Sequence, residues 1–210
     1  METRWWWIRH APEPDGGRIY GQRDLDCDCS DVAVFDALAR ELPHGAVWLT
    51  SHLVRTHQTA AAIRAAMPDQ SAPSEPRTLA ELAEQHLGDW QGLDRKEFFA
   101  RRRTADNPFW FGPASESAPN GESFVDLVER VTRAIDNLSR EYAGRDIVAV
   151  AHGGTIRAAL ALALRIEPDD ALGCVIDNCS LTRIDHLANG ATGRWRVVAI
   201  NRQLRNRPIT

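Results

Sequence analysis

Apolar positions fall in two patterns along the chain: short unbroken runs, and longer stretches at helical spacing. Thr3–Ile8 is a β-prone run holding Trp5, Trp6 and Trp7 in succession. Consecutive bulky apolar side chains suit a strand covered on both faces better than one with a wet side. A polar, Gly- and Pro-rich loop follows through Ser30. Ser30 or Asp31 is placed to cap a helix over Val32–Leu42, with Val34, Phe35, Leu38 and Leu42 on one face and Pro43 and Gly45 ending it. Ala46–Thr50 reads as a second buried strand, and His57–Met67 as an Ala-rich helix stopped before Pro68. Thr78–Leu82 reads as a third strand, and Lys96–Arg103 as a short helix. Glu122–Tyr142 carries the strongest amphipathic pattern, with Phe124, Leu127, Val128, Val131, Ile135 and Leu138 along one stripe. Asp146–Ala151 (DIVAVA) is a continuous apolar strand, and Thr155–Leu164 an apolar helix after it. Cys174–Asp177, Ser180–His186 and Arg194–Ile200 read as closing strands, with a turn at Asn189-Gly190. Buried strands alternating with helices imply an α/β domain with a mostly parallel sheet.

The stretch from Thr104 to Gly121 breaks this rhythm with Pro108, Pro113 and Pro119, yet it carries Phe109, Trp110 and Phe111. Aromatic residues in a loop usually pack on something, so it reads as a lid. Two readings of the aromatics stand side by side: they pin the loop to the core, or they receive an organic group. The chain has 210 residues, enough for one domain, so residues 1–210 are taken as a single unit with a lid-like insertion at about 94–121.

Composition narrows the functional classes. Hydrophobic residues are 43% and charged residues 26% of the chain, a globular balance that excludes a disordered or fibrous protein. The net charge of -4 lacks the basic excess of a nucleic-acid binder. No run approaches the ~18 apolar residues of a membrane span, and METRWWWIRH has no signal-peptide pattern, so a cytoplasmic protein is expected. Cys27, Cys29, Cys174 and Cys179 are too sparse for a disulfide framework, and the Cys27/Cys29 spacing is poor for zinc; they read as reduced thiols.

In a parallel α/β sheet the active site lies beyond the carboxyl ends of the strands. His10 follows the first strand in IRHAP, and His152 follows DIVAVA in AHGGTIR. Gly153 and Gly154 then open a helix, whose N-terminal N–H groups favour an anion. Arg9 adjoins His10, and Arg55 opens the helix after the second strand in SHLVRTHQTA. Any one of these residues alone is more often structural or solvated. Together, at one sheet edge, they would make a site for phosphate.

The pieces IRHAP, TSHLVRTHQTAAAI, ELAEQHLGDWQGL, APNGESF and VAVAHGGTIRAAL stand in the order of the histidine phosphatase superfamily, which the chain resembles from about Trp5 to Leu164. The resemblance implies a phosphoglycerate-mutase-like fold, a three-layer α/β/α sandwich around a mostly parallel sheet. It implies His10 as the nucleophile that becomes phosphohistidine, and Arg9, Arg55, His152 and Gly153 as the phosphate pocket. It implies Glu84 as the proton donor, placed by His86, Gly88, Asp89, Trp90 and Gly92. The chemistry is consistent: phosphoryl transfer depends on positioning and on stabilising charge, which two arginines supply. No metal ligands stand at suitable spacing, and no cofactor is expected. The partners implied are a phosphorylated small molecule and inorganic phosphate as product; a homodimer is left open.

The sequence departs from the family in places. Ala11 replaces a glycine, which matters if that position needs positive φ. GGRIYGQRD resembles the family's G-x-x-D segment at Gly21 and Asp24 but lacks a polar Asn, so Tyr20, Gly21 and Gln22 are the candidate substrate loop, with Arg18 as a possible substitute. Glu84 is followed by Gln85, His86 and Leu87 rather than the Arg-His-Tyr of cofactor-dependent mutases. Arg101, Arg102 and Arg103 read as a solvated helix end rather than a mutase arginine pair. The resemblance therefore leans to the phosphatase branch, similar to α-ribazole phosphatase: a hydrolase of small phosphomonoesters. A phosphoglycerate mutase and a non-catalytic phospho-ligand binder are the alternatives.

Overall fold

The computed structural model describes residues 1–68, 75–102, 110–189 and 192–204. The chain runs β1 (Glu2–Arg9), α1 (Val32–Glu41), β2 (Val47–Thr50), α2 (Val54–Ala65), β3 (Arg77–Thr78), α3 (Arg95–Arg101), α4 (Phe124–Glu141), β4 (Asp146–Ala151), α5 (Gly153–Leu164), α6 (Pro168–Ala171), β5 (Leu181–Asn189) and β6 (Thr192–Arg202). The six strands form one sheet in the order β3-β2-β4-β1-β5-β6. β3, β2, β4 and β1 are mutually parallel, while β5 runs antiparallel to both β1 and β6. The mixed sheet is parallel where the site forms.

Two apolar layers sandwich the sheet. On one face Trp5, Trp7, Ile147, Ala149 and Ala151 pack with α4 and α5. On the other Trp6, Ile8, Val148 and Val150 pack with α1 and α2. The tryptophan run therefore serves both layers, as expected of a doubly covered strand. Trp5 and Trp7, two residues apart, stack at 4.9 Å, and their neighbour Trp6 points the other way. Two buried indoles are anchored by hydrogen bonds: Trp5 Nε1 donates to Ser139 Oγ and Trp6 Nε1 to Asp146 Oδ1. Helix α4 starts with a reciprocal capping box between Ser123 and Asp126.

Three expectations are corrected. Of the expected strand Thr78–Leu82 only Thr78 belongs to β3; Leu79 stays extended, and one tight helical turn, Ala80–Leu82, takes the rest. Thr155 Oγ1 donates to the carbonyls of Leu82 and Ala83, drawing this segment off the sheet edge onto α5. Cys174–Asp177 is a loop, because its carbonyls are taken by arginine side chains. Helix α5 begins at Gly153 rather than Thr155; two glycines in a first turn carry little helical signal. The expected turn at Asn189-Gly190 and the residues Arg103 and Phe109 lie outside the described residues. The described part of the excursion packs inward: Trp110 sits 6.3 Å from Phe124, and Phe111 stacks on Phe99 at 5.6 Å.

Candidate active site

Strands β1, β2 and β4 end level with one another, with Ile8 and Thr50 both in register with Val150. His10 follows β1, Ser51 follows β2, and His152 follows β4 as the residue before α5. The rings of His10 and His152 lie 5.1 Å apart, and neither has solvent exposure. Burial, then the charges of Arg55 and Arg9, hold His10 well below the usual imidazole pKa. The same causes, with His10 added, depress His152. Both rings are neutral at pH 7.

His10 Nδ1 stands 2.8 Å from the carbonyl oxygen of Ala11. A carbonyl only accepts, so Nδ1 is assigned the proton and Nε2 the lone pair. Glu13 Oε2 lies 3.3 Å from the same Nδ1. Ala11 has no positive φ, so the alanine fits where the resemblance called for glycine. His152 Nε2 meets Ser51 Oγ at 2.8 Å.

The arginines are held by backbone carbonyls. Arg55 donates through Nη1 to Arg23 O and through Nη2 to Gly21 O. Arg9 donates through Nη1 to Ile176 O and through Nη2 to Tyr20 Oη. Burial lowers the Arg55 pKa, opposed by Glu84, Tyr20 and Glu13. Burial raises the Tyr20 phenol well above its usual value, opposed by Arg9. Among the described residues, Arg9 Nε, His10 Nε2, Arg55 Nε and His152 Nδ1 are buried without a hydrogen-bond partner, as is the carboxylate oxygen Glu13 Oε2, whose nearest cation-capable atom is His10 Nδ1. Buried polar atoms are nearly always paired. The two arginine Nε–H donors beside the His10 lone pair mark a place for an anion.

Glu84 is 7% exposed. Its Oε1 accepts from its neighbour's N–H at Gln85, and its Oε2 from Gly154 N–H at 3.2 Å. Gln22 donates its side-chain amide to Glu84 O and so steadies the carboxylate's backbone. Asp24 Oδ1 accepts from Val54 N–H, tying the candidate loop to the start of the helix that carries Arg55.

A cavity of about 450 Å³ opens over the cluster, walled in part by Arg9, Tyr20, Gly21, Glu84, Gly153 and Arg157. Trp110 and Phe111 also line it, so the aromatics both anchor the excursion and face the cavity. His10, Arg55 and His152 lie behind these walls without solvent exposure. Sequence reasoning missed Arg157. Its signal was inside the quoted string AHGGTIR, one turn after Gly153 on α5. Among the described residues, no three His, Cys, Asp or Glu side chains are grouped to hold a metal ion. No disulfide joins Cys27, Cys29, Cys174 or Cys179; burial and the neighbouring Cys27 push Cys29 up to about 12.

The model of the histidine phosphatase superfamily (branch 1) matches residues 5–203. The chain belongs to this superfamily. It is 30% identical over 166 residues to an Arabidopsis thaliana protein named metal-independent phosphoserine phosphatase, covering 77% of this chain and 66% of that one. The match thus spans just under two thirds of that relative's length. A glucosyl-3-phosphoglycerate phosphatase of Mycolicibacterium vanbaalenii is 36% identical over 169 residues, covering 74% and 70%. A solved mycobacterial glucosyl-3-phosphoglycerate phosphatase superposes with a TM-score of 0.79 at 25% identity, covering 96% of this chain and 99% of that one. Among the described residues of this superfamily member, no helix is long and apolar enough to cross a membrane.

Proposed function

We propose that the protein is a phosphatase that hydrolyses small phosphomonoesters through a phosphohistidine at His10. The observation that carries this reading is the group of orphaned buried atoms on Arg9, His10, Arg55 and His152. A phosphoryl group bound there meets the Nε donors of two arginines and the lone pair of His10 Nε2; where Ser51 Oγ donates to His152 Nε2, His152 Nδ1 adds a third donor. In the first step Nε2 bonds to phosphorus while the bond to the ester oxygen breaks. Glu84 gives that oxygen its proton, so an alcohol leaves rather than an alkoxide. In the second step Glu84, now a carboxylate, takes a proton from water. The water oxygen bonds to phosphorus and His10 is released with inorganic phosphate. The covalent intermediate splits one hard step into two.

The related proteins named as phosphatases support hydrolysis. So does the position after Glu84. The Gln85 side chain donates to Glu122 O and accepts from Trp110 Nε1, so it is committed to the scaffold where a mutase has a cation for substrate. A cytoplasmic setting and a single domain with its lid belong to the same reading.

The test is hydrolysis of p-nitrophenyl phosphate with EDTA present, with acid-quenched protein examined for phosphohistidine. Turnover and a label, both lost in His10→Ala, are expected. Near-normal turnover by His10→Ala overturns the assignment. Binding of vanadate with no turnover of any phosphomonoester leaves a phospho-ligand binder instead.

A further inference from the structure

We propose that Arg157 binds a second anionic group of the substrate, a carboxylate, so that the preferred substrates are phosphomonoesters of hydroxy acids. This rests on the phosphatase reading and names its substrate class. Arg157 differs from the two arginines of the phosphate cluster in which nitrogens the protein uses. Arg9 and Arg55 spend their Nη groups on scaffold acceptors and leave Nε buried without a partner. Arg157 is turned the other way. Its Nε donates to Cys174 O at 2.8 Å, and its guanidinium lies over the Trp110 ring at 5.2 Å. Its two Nη groups have no acceptor among the described residues, and the side chain lines the cavity. A fixed fork of two free N–H-bearing nitrogens is the geometry that grips a carboxylate through both oxygens.

Placement and charge agree. A Cβ built on Gly153 would stand 3.7 Å from Arg9 Nε and 3.4 Å from Arg157 Nη1. The two guanidinium groups therefore flank one glycine, and the organic part of an ester held at Arg9 passes Arg157 on leaving the phosphate cluster. Burial lowers the Arg157 pKa, Glu84 opposes that shift and Arg9 adds to it. Among the described residues Arg157 has no ion-pair partner of its own, whereas Arg95, also on the cavity wall, is committed to Asp15 Oδ2 and Arg18 O. One free guanidinium answers one negative charge. A second phosphate dianion would bring excess negative charge beside Glu84 and Glu13, so a carboxylate is the better match.

The test uses matched pairs that differ in the acid group: 3-phosphoglycerate against glycerol 3-phosphate, and O-phosphoserine against O-phosphoethanolamine. The wild-type protein is expected to favour the acid of at least one pair in kcat/KM by about tenfold to a hundredfold, the scale of a charged hydrogen-bonded contact. In Arg157→Met that ratio is expected to fall toward one, chiefly through KM of the acid. Arg157→Lys is expected to restore part of it. Absence of a preference in the wild type, or equal losses on both members in Arg157→Met, overturns the proposal. A preference for fructose 1,6-bisphosphate that collapses in Arg157→Met overturns the carboxylate and assigns the subsite to phosphate. No phosphate release from any of these compounds or from p-nitrophenyl phosphate, with no label on His10, is instead the failure of the phosphatase reading itself.

Discussion

Glu84 and Gly154 are locked together: the Gly154 N–H donates to Glu84 Oε2, and a Cβ on Gly154 would stand 2.2 Å from Glu84 Oε1. The residue that must yield to a side chain at 154 is thus the flexible carboxylate end of Glu84, together with Leu127 Cδ2 at 3.0 Å. Gly154→Ala is expected to displace the acid while barely changing stability, since alanine also favours the helix by up to about 1 kcal/mol. Turnover of alkyl phosphates should fall about tenfold to a hundredfold, part of what a positioned acid contributes. Thermal melts alongside steady-state kinetics check it. A large loss of stability with normal kcat would be the opposite result.

The acid itself is tested by its dependence on the leaving group. Both Glu84 oxygens accept backbone N–H bonds, so Glu84→Gln removes the proton and also sets an amide NH₂ against one donor. That second effect acts on every substrate. Loss of the proton acts on poor leaving groups alone. Glu84→Gln is therefore expected to slow alkyl phosphates by about 10²–10⁴-fold and p-nitrophenyl phosphate much less. Equal losses on both would assign Glu84 a scaffold role only.

Arg55 has no solvent exposure and bridges two carbonyls of the 21–23 loop. A lysine ammonium keeps the charge but cannot hold the two carbonyls at the geometry of a planar fork. Arg55→Lys should cost about 1–3 kcal/mol of stability for a buried acceptor left unpaired. It should also lower kcat/KM by about 10²–10³-fold, the scale of losing one oxyanion donor. Urea denaturation with kinetics on the same preparation reads both. A variant of normal stability and normal kcat/KM would remove Arg55 from the site.

Sequence reasoning found what local pattern encodes. Trp5–Trp7 and DIVAVA are apolar runs, so β1 and β4 were legible, and with them the positions of His10 and His152 at strand ends. What it missed depends on contacts between distant segments. The 174–177 run looks like a strand because it is short and apolar at Val175 and Ile176, yet Cys174 O and Ile176 O receive Arg157 and Arg9 from other elements. The segment after Thr78 looks extended until Thr155, from across the fold, captures its carbonyls. Asp24 gave no hint that it caps α2, thirty residues on. Arg157 was passed over, because neither its anchor at Cys174 nor the cavity it faces is local in sequence.

The buried histidines make stability fall with acid. In the unfolded chain His10 and His152 titrate near pH 6.5, while burial and the neighbouring arginines depress both in the fold. Above about pH 6.5 both states hold neutral rings, and the stability tied to neutrality is fully present. As pH falls through that value the unfolded chain takes up protons that the fold refuses. Stability should then drop by on the order of 1 kcal/mol per pH unit for each ring, down to the folded pKa. Carboxylates titrate in the same range, so the measurement is a difference: melting temperatures from pH 7.5 to 5 for the wild type and for a His10→Asn/His152→Asn double variant. The wild type is expected to lose stability faster on acidification. Parallel curves would show that the two rings are as easily protonated inside the fold as outside it. They would also remove the physical basis for a neutral His10 ready to attack phosphorus at mildly acidic pH.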